Sequence, residues 1–112
     1  MRYPPLVPAR LCRTLVQVHL ESEEVNDKGK PMLEADLDLF CSFQDKARTI
    51  LTAEKKLVQV NGCAMFDGDI APEFPSLSGG YIVVFGKKRR IEQGMKARNP
   101  DGTVNYCRLD VV

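Results

Sequence analysis

The chain has 112 residues, 44% of them hydrophobic and 28% charged, with a formal net charge of +1. That length suits one core, since domains of about 100–150 residues usually build a single one, and the charged share is near the roughly 25% of ordinary globular domains, which argues against global disorder. No apolar run approaches the ~18 residues of a membrane span, the opening Met1-Arg2-Tyr3-Pro4-Pro5 lacks a secretory apolar core, and the small net charge argues against a uniformly basic nucleic-acid binder.

Residues 1–10 contain Pro4, Pro5 and Pro8 with Tyr3, Leu6 and Val7 among them. Proline fixes φ and has no N–H, so this segment is expected to be an extended arm lying on its own barrel or on a neighbour. From 14 to 21 the chain alternates, with Val16, Val18 and Leu20 on one face and Gln17 and His19 on the other. Period two with β-branching predicts a half-buried strand, with His19 solvated on its polar face. A polar turn is expected over 22–31, around Asn26-Asp27-Lys28-Gly29. The clearest alternation follows: Leu33, Ala35, Leu37, Leu39, Cys41 and Phe43 share a face, and Glu34, Asp36, Asp38 and Ser42 take the other. This is a strand, since a helix would scatter the same apolar residues around its axis.

Positions 44–48 read as a polar connection and 49–51 as a short apolar step, with a turn or a single helical turn over 52–56. A further strand is expected over 57–66, burying Val58, Val60, Ala64 and Phe66, with Gly62 marking a bulge or bend. The stretch 67–80 has two prolines and three glycines and predicts a long loop. Its Ile70, Phe74 and Leu77 call for burial on the chain's own barrel or on a partner. A strand at 81–85, a turn at Gly86-Lys87 and a return strand over 88–97 come next. Asn99-Pro100-Asp101-Gly102 is a turn, with proline presetting φ and glycine supplying φ > 0. The final strand runs from 103 to 112. Six or seven short strands without a helical period predict an all-β fold: one domain over 1–112, a small antiparallel barrel or sandwich with an extended arm and a long Pro/Gly loop.

The near-neutral total conceals a polarity. Between positions 21 and 38, seven acids (Glu21, Glu23, Glu24, Asp27, Glu34, Asp36, Asp38) and two bases give a local charge of −5. Between 87 and 98, six bases (Lys87, Lys88, Arg89, Arg90, Lys96, Arg98) and the single acid Glu92 give +5. Two solvated hairpins of opposite sign are one explanation. A head-to-tail contact between copies through these residues is the other, because opposite patches on one chain favour heterologous pairing.

Catalytic and metal-binding constellations are scarce. Cys12, Cys41, Cys63 and Cys107 form no Cys-x-x-Cys pair, and His19 is the only histidine, so no metal or other cofactor is expected. Without a leader the cysteines are expected to be free thiols in or near the core. No nucleophile elbow, phosphate-binding glycine loop or complete calcium loop is present, which argues against an enzyme. The run 87–90 could hold phosphates, but alternate residues of a strand face opposite ways, and few aromatics lie near it for base stacking.

Several stretches together resemble a known family. They are Tyr3-Pro4-Pro5-Leu6-Val7-Pro8 with Leu11-Cys12-Arg13-Thr14; Asn61-Gly62-Cys63-Ala64-Met65-Phe66-Asp67-Gly68-Asp69-Ile70; Ser78-Gly79-Gly80; Val83-Val84-Phe85-Gly86; and Lys96-Ala97-Arg98-Asn99-Pro100-Asp101-Gly102-Thr103-Val104-Asn105-Tyr106. With this combination the chain resembles, over nearly its whole length, the minor capsid or head–tail connector proteins of tailed phages and prophages. The resemblance implies a small β-barrel that assembles as a ring in the virion neck, stopper-like, between portal or adaptor and tail. It also implies assembly in the bacterial host cytoplasm, sealing or gating of the DNA channel, and possible non-specific contact with packaged DNA. On that reading Tyr3, Leu6 and Val7 of the arm and Ile70, Phe74 and Leu77 of the loop reach onto neighbours. The competing class is a monomeric β-barrel module that binds single-stranded nucleic acid or an acidic partner.

Overall fold

Alternating side chains build every ladder of this protein. The structure, a computed structural model, describes residues 3–22, 27–30, 33–51, 54–74, 77 and 79–112. Among the described residues a 3-10 turn, Ala9–Leu11, precedes six strands: β1 (Thr14–Glu21), β2 (Glu34–Leu51), β3 (Leu57–Asp67), β4 (Gly80–Val84), β5 (Lys87–Arg98) and β6 (Val104–Val111). All pairings are antiparallel, in the order β1-β2-β3-β6-β5-β4, and β4 returns to β1, so the sheet closes on itself as a barrel. The all-β fold class expected from the alternation is the observed one.

Closure runs through two long strands. The first part of β2 pairs with β1, from Glu34 opposite Glu21 to Cys41 opposite Thr14, and from Ser42 the same strand pairs with β3. β5 behaves likewise, pairing with β4 up to Arg90 and with β6 from Ile91 onward. Barrel and sandwich therefore describe one object, two half-sheets that share their corner strands. The polar stretch 44–48 is not a connection, as its composition predicted. It is a β-bulge between Asp45 and Arg48 inside a continuous 18-residue strand. An extra residue on one strand sharpens bend and twist, so the bulge turns β2 from one half-sheet into the other. The irregularity expected at Gly62 thus falls on the strand opposite, where Asp45 pairs with Gly62.

The core contains Val16, Val18 and Leu20 of β1, Cys41 of β2, Ala64 and Phe66 of β3, Ile82 and Val84 of β4, Ile91 of β5, and Cys107, Leu109 and Val111 of β6. Ala35, Leu37, Leu39 and Phe43 pack against it from β2, as the period-two pattern required. Ala71, Phe74 and Leu77 of the long loop complete the cluster. Phe74 and Leu77 are 2% and 1% exposed, so the loop packs on its own barrel, and these two are core residues rather than docking residues. Its path leaves no room beside β5: a Cβ on Gly94 would lie 1.9 Å from the Leu77 carbonyl oxygen.

The arm also lies on its own chain. Its prolines cannot donate to a ladder, and two remaining amides are satisfied by side chains: Tyr3 N–H donates to Asn99 Oδ1 (3.1 Å) and Leu6 N–H to Asn105 Oδ1 (2.9 Å). Asn105 Nδ2 donates in turn to the Pro4 carbonyl (3.1 Å) and to Asn99 Oδ1 (3.0 Å). Both asparagines are buried, and this bonding is what permits it. Asn99 is set by the expected turn, in which Gly102 N–H donates to the Asn99 carbonyl (2.9 Å) and Asn99 N–H to the Thr103 carbonyl (2.7 Å).

The β4–β5 turn lies one residue earlier than expected. Phe85 (φ 50°) and Gly86 (φ 77°) both occupy the left-handed region of a two-residue hairpin, and β5 begins at Lys87. A phenylalanine is rare there, and its ring meets Phe43 edge-on at 5.9 Å between centroids.

Gly94→Ala is expected to lower stability by about 1–3 kcal/mol, the usual cost of overpacking. It should also expose 68–79 to protease, whereas Gln93→Ala, at an exposed neighbouring position of β5, should leave loop protection intact. Thermal melts with limited proteolysis check this; unchanged melting and protection in Gly94→Ala would show that the loop is not seated on β5.

Candidate functional site

The outer face of β1, β2, β4 and β5 carries a lateral gradient of charge. Because Val18, Leu20, Ile82 and Val84 point inward, their neighbours His19, Gln17, Tyr81 and Val83 point outward, with Glu34, Asp36 and Asp38 of β2 beside them. Register aligns Asp36, His19, Tyr81 and Arg90 in one row and Asp38, Gln17, Val83 and Lys88 in the next. Acids thus line β2, cations line β5, and two neutral or titratable columns separate them. A cleft of about 580 Å³ opens at the basic side, lined by Glu21, Gly79, Gly80, Tyr81, Lys88, Arg90 and Ile91.

His19 ties the gradient together. Its Nδ1 lies 2.6 Å from Asp36 Oδ1 and its Nε2 3.0 Å from Glu21 Oε1. Neutral imidazole has one N–H, so meeting a carboxylate at both nitrogens favours the doubly protonated ring. The Asp36 hydrogen bond is the main cause that raises its pKa; burial opposes this, and Glu21 adds to it. The ring also stacks on Tyr81 at 5.0 Å, and Lys88 Nζ lies 4.0 Å from the Tyr81 centroid. His19 was expected to be solvated, but its side chain is only 15% exposed. Glu21 two residues on and the cross-strand Asp36 were the available signals, and reading them required the register.

The structure separates the expected interface residues. Glu23 and Glu24 lie outside the described residues. Asp27 is in the exposed turn at 27–30, while Glu34, Asp36 and Asp38 form the acidic column. Lys88 and Arg90 face outward, as strand alternation required of half the basic run, and Arg90 NH2 pairs with Glu92 at 2.8 Å. Arg89 turns to the other side, where it pairs with Asp45 (3.2 Å), donates to the Val112 carbonyl (3.1 Å) and covers the Phe43 ring. Lys87 is exposed at the start of β5. Lys96 does not join an interface: its side chain is 6% exposed, held by Asp69 (3.0 Å) and the Ala71 carbonyl (2.8 Å) under the long loop. Arg98 donates to the Gly102 carbonyl (2.7 Å). Of the arm and loop set, Tyr3 and Leu6 are exposed, Val7 is buried, and Ile70 is half-buried against the core.

One further group escapes sequence reading. Asp110 is 5% exposed, and it is neutralised there by Arg48 (3.0 Å) and Arg108 (3.1 Å). All four cysteines are free thiols, as expected. Burial pushes the Cys41 thiol up to about 12 and raises Cys63 and Cys107 as well, so all three resist forming the reactive thiolate. No protein-family model and no curated protein sequence matches the chain significantly.

Since the folded-state pKa of His19 lies above its unfolded value, its protonation stabilises the fold fully below about pH 6.5, and that contribution is lost as pH rises through the folded value. Asp36→Asn removes the largest cause. The NMR titration midpoint of His19 is expected to fall, and the pH dependence of the melting temperature above about pH 6 to flatten. A midpoint that stays in place would show that Asp36 does not hold the proton.

Proposed function

We propose that this chain is a virion structural protein that assembles with its own copies as a ring in the neck of a tailed phage. There it would join the portal or adaptor to the tail and help to seal or gate the DNA channel. The observation that carries the reading is the separation of charge on a closed barrel, with exposed acids along β2 and exposed cations elsewhere on the body. Opposite patches at different places on one body pair head to tail, and a head-to-tail contact that closes makes a ring. The family resemblance supplies the neck; the barrel and its charge separation are compatible with it.

A monomeric binder of single-stranded nucleic acid is less well supported. Such a module stacks bases on open aromatic rings and lines phosphates with available cations. Here Tyr81 lies between His19 and Lys88, while Arg89 and Arg90 are engaged with Asp45 and Glu92.

Light scattering after size exclusion, with electron micrographs of the same fractions, tests the proposal. Ring-shaped multiples of the chain are expected at low salt, with smaller species as salt screens exposed charges. A monomer at every salt and protein concentration, with a salt-sensitive shift of an oligonucleotide, would overturn the ring in favour of the binding module.

A further inference from the structure

The half-sheet formed by β3, β6 and the far ends of β2 and β5 carries its own concentration of charge, around a small cavity. The bulge in β2 stands at its edge, where one extra residue between Asp45 and Arg48 interrupts the pairing with β3. Bulges re-aim side chains. Arg48 pairs with Val60 of β3 in the ladder, yet its side chain reaches past β3 to Asp110 of β6. A cavity of about 130 Å³ lies there, lined among others by Lys46, Arg48, Cys63, Arg108 and Asp110.

Its charge is unbalanced: three cations against one carboxylate leave +2. Arg48 NH2 meets Asp110 Oδ2 at 3.0 Å and Arg108 Nε meets Oδ1 at 3.1 Å, so both carboxylate oxygens are occupied. Each guanidinium has five N–H donors and uses one of them on this carboxylate. Arg108 also lies within hydrogen-bond reach of Cys63. Lys46 is exposed and has no ion-pair partner among the described residues, and the adjacent Asp45 is taken by Arg89. Asp110 thus fixes two guanidiniums side by side without neutralising both. Like charges held together beside a cavity repel, and an anion seated between them relieves that repulsion. The planar fork of a guanidinium suits the task, because it meets an oxyanion bidentately. The size of the cavity selects the anion. It is well below the roughly 300–1,000 Å³ of pockets that take drug-sized ligands, and it suits an ion such as phosphate or sulfate.

We propose that this cavity binds one phosphate-sized oxyanion between Arg48 and Arg108, with Lys46 as a third cation and Asp110 as the residue that orients the two guanidiniums. The site lies on the other half-sheet from the acid-to-cation gradient and does not depend on the ring reading.

Cys63 reports on occupancy because it lines the cavity, whereas Cys12, also half-buried, does not. Iodoacetamide labelling of the unaltered chain, read peptide by peptide, is compared with and without inorganic phosphate, with ionic strength matched by sodium chloride. Phosphate is expected to slow labelling of Cys63 saturably and to leave Cys12 unchanged. Lys46→Gln and Arg48→Gln should each raise the half-protecting phosphate concentration about tenfold, the effect of losing one charged hydrogen bond. Lys46→Gln breaks no ion pair among the described residues, so its melting temperature without phosphate should match that of the unaltered chain. Lys87→Gln, at the exposed start of β5, should leave protection unchanged. A short single-stranded oligonucleotide separates the sources of the phosphate. Protection by the inorganic ion alone assigns a free anion, and protection by both assigns a phosphate that a nucleic-acid backbone also presents. Absence of protection, protection that chloride reproduces or that Cys12 shares, or protection that both cavity variants keep intact, would overturn the site.

Discussion

Everything in this barrel depends on the closure between β4 and β1. β4 is five residues long, yet it pairs with β1 on one side and β5 on the other, and without it the order β1-β2-β3-β6-β5-β4 is an open curl with two free edges. The join permits no side chain at its start. Gly80 has φ 114°, and a Cβ there would lie 1.9 Å from the His19 carbonyl oxygen. Once the strands are joined, the inward residues of all six seal against one another, and the long loop brings Phe74 and Leu77 into the same cluster.

Closure also creates the outer surface. Asp36 and Arg90 are 54 positions apart in sequence but stand in one row because β1 and β4 are paired between them. His19 draws its two carboxylates and Tyr81 from three neighbouring strands, a microenvironment that no local segment contains. Charge therefore has two roles here. Inside the chain Lys96 fastens the loop, Arg89 covers the Phe43 ring, and Arg48 and Arg108 satisfy the buried Asp110 carboxylate. The acids of β2 remain on the surface, which is where recognition between molecules takes place.

Alternation made β1, the first part of β2, β3 and β6 legible, because a strand with one buried face must repeat every second residue. It failed at 44–48, where polar composition suggested a connection and the chain instead makes a bulge. A bulge exposes residues on a bending strand, so it has the composition of a loop while keeping most of its ladder. Candidate interface residues were legible as charges but not as available charges. Whether a lysine is a surface cation or a buried strut depends on what packs over it, and for Lys96 that is Asp69 and Ala71, more than twenty residues away.

By itself the sequence determined the all-β class, the inward face of β1, of the first part of β2 and of β3, the turn at 99–102 and the opposition of an acidic and a basic segment. These follow from local periodicity and from the backbone preferences of proline and glycine. Only the tertiary structure decided that the sheet closes, that β2 and β5 each serve two half-sheets, and that the arm is clasped by Asn99 and Asn105. It also decided which charges face outward. Each of these is a pairing between residues distant in sequence, and its energy exists only once both partners are buried or aligned.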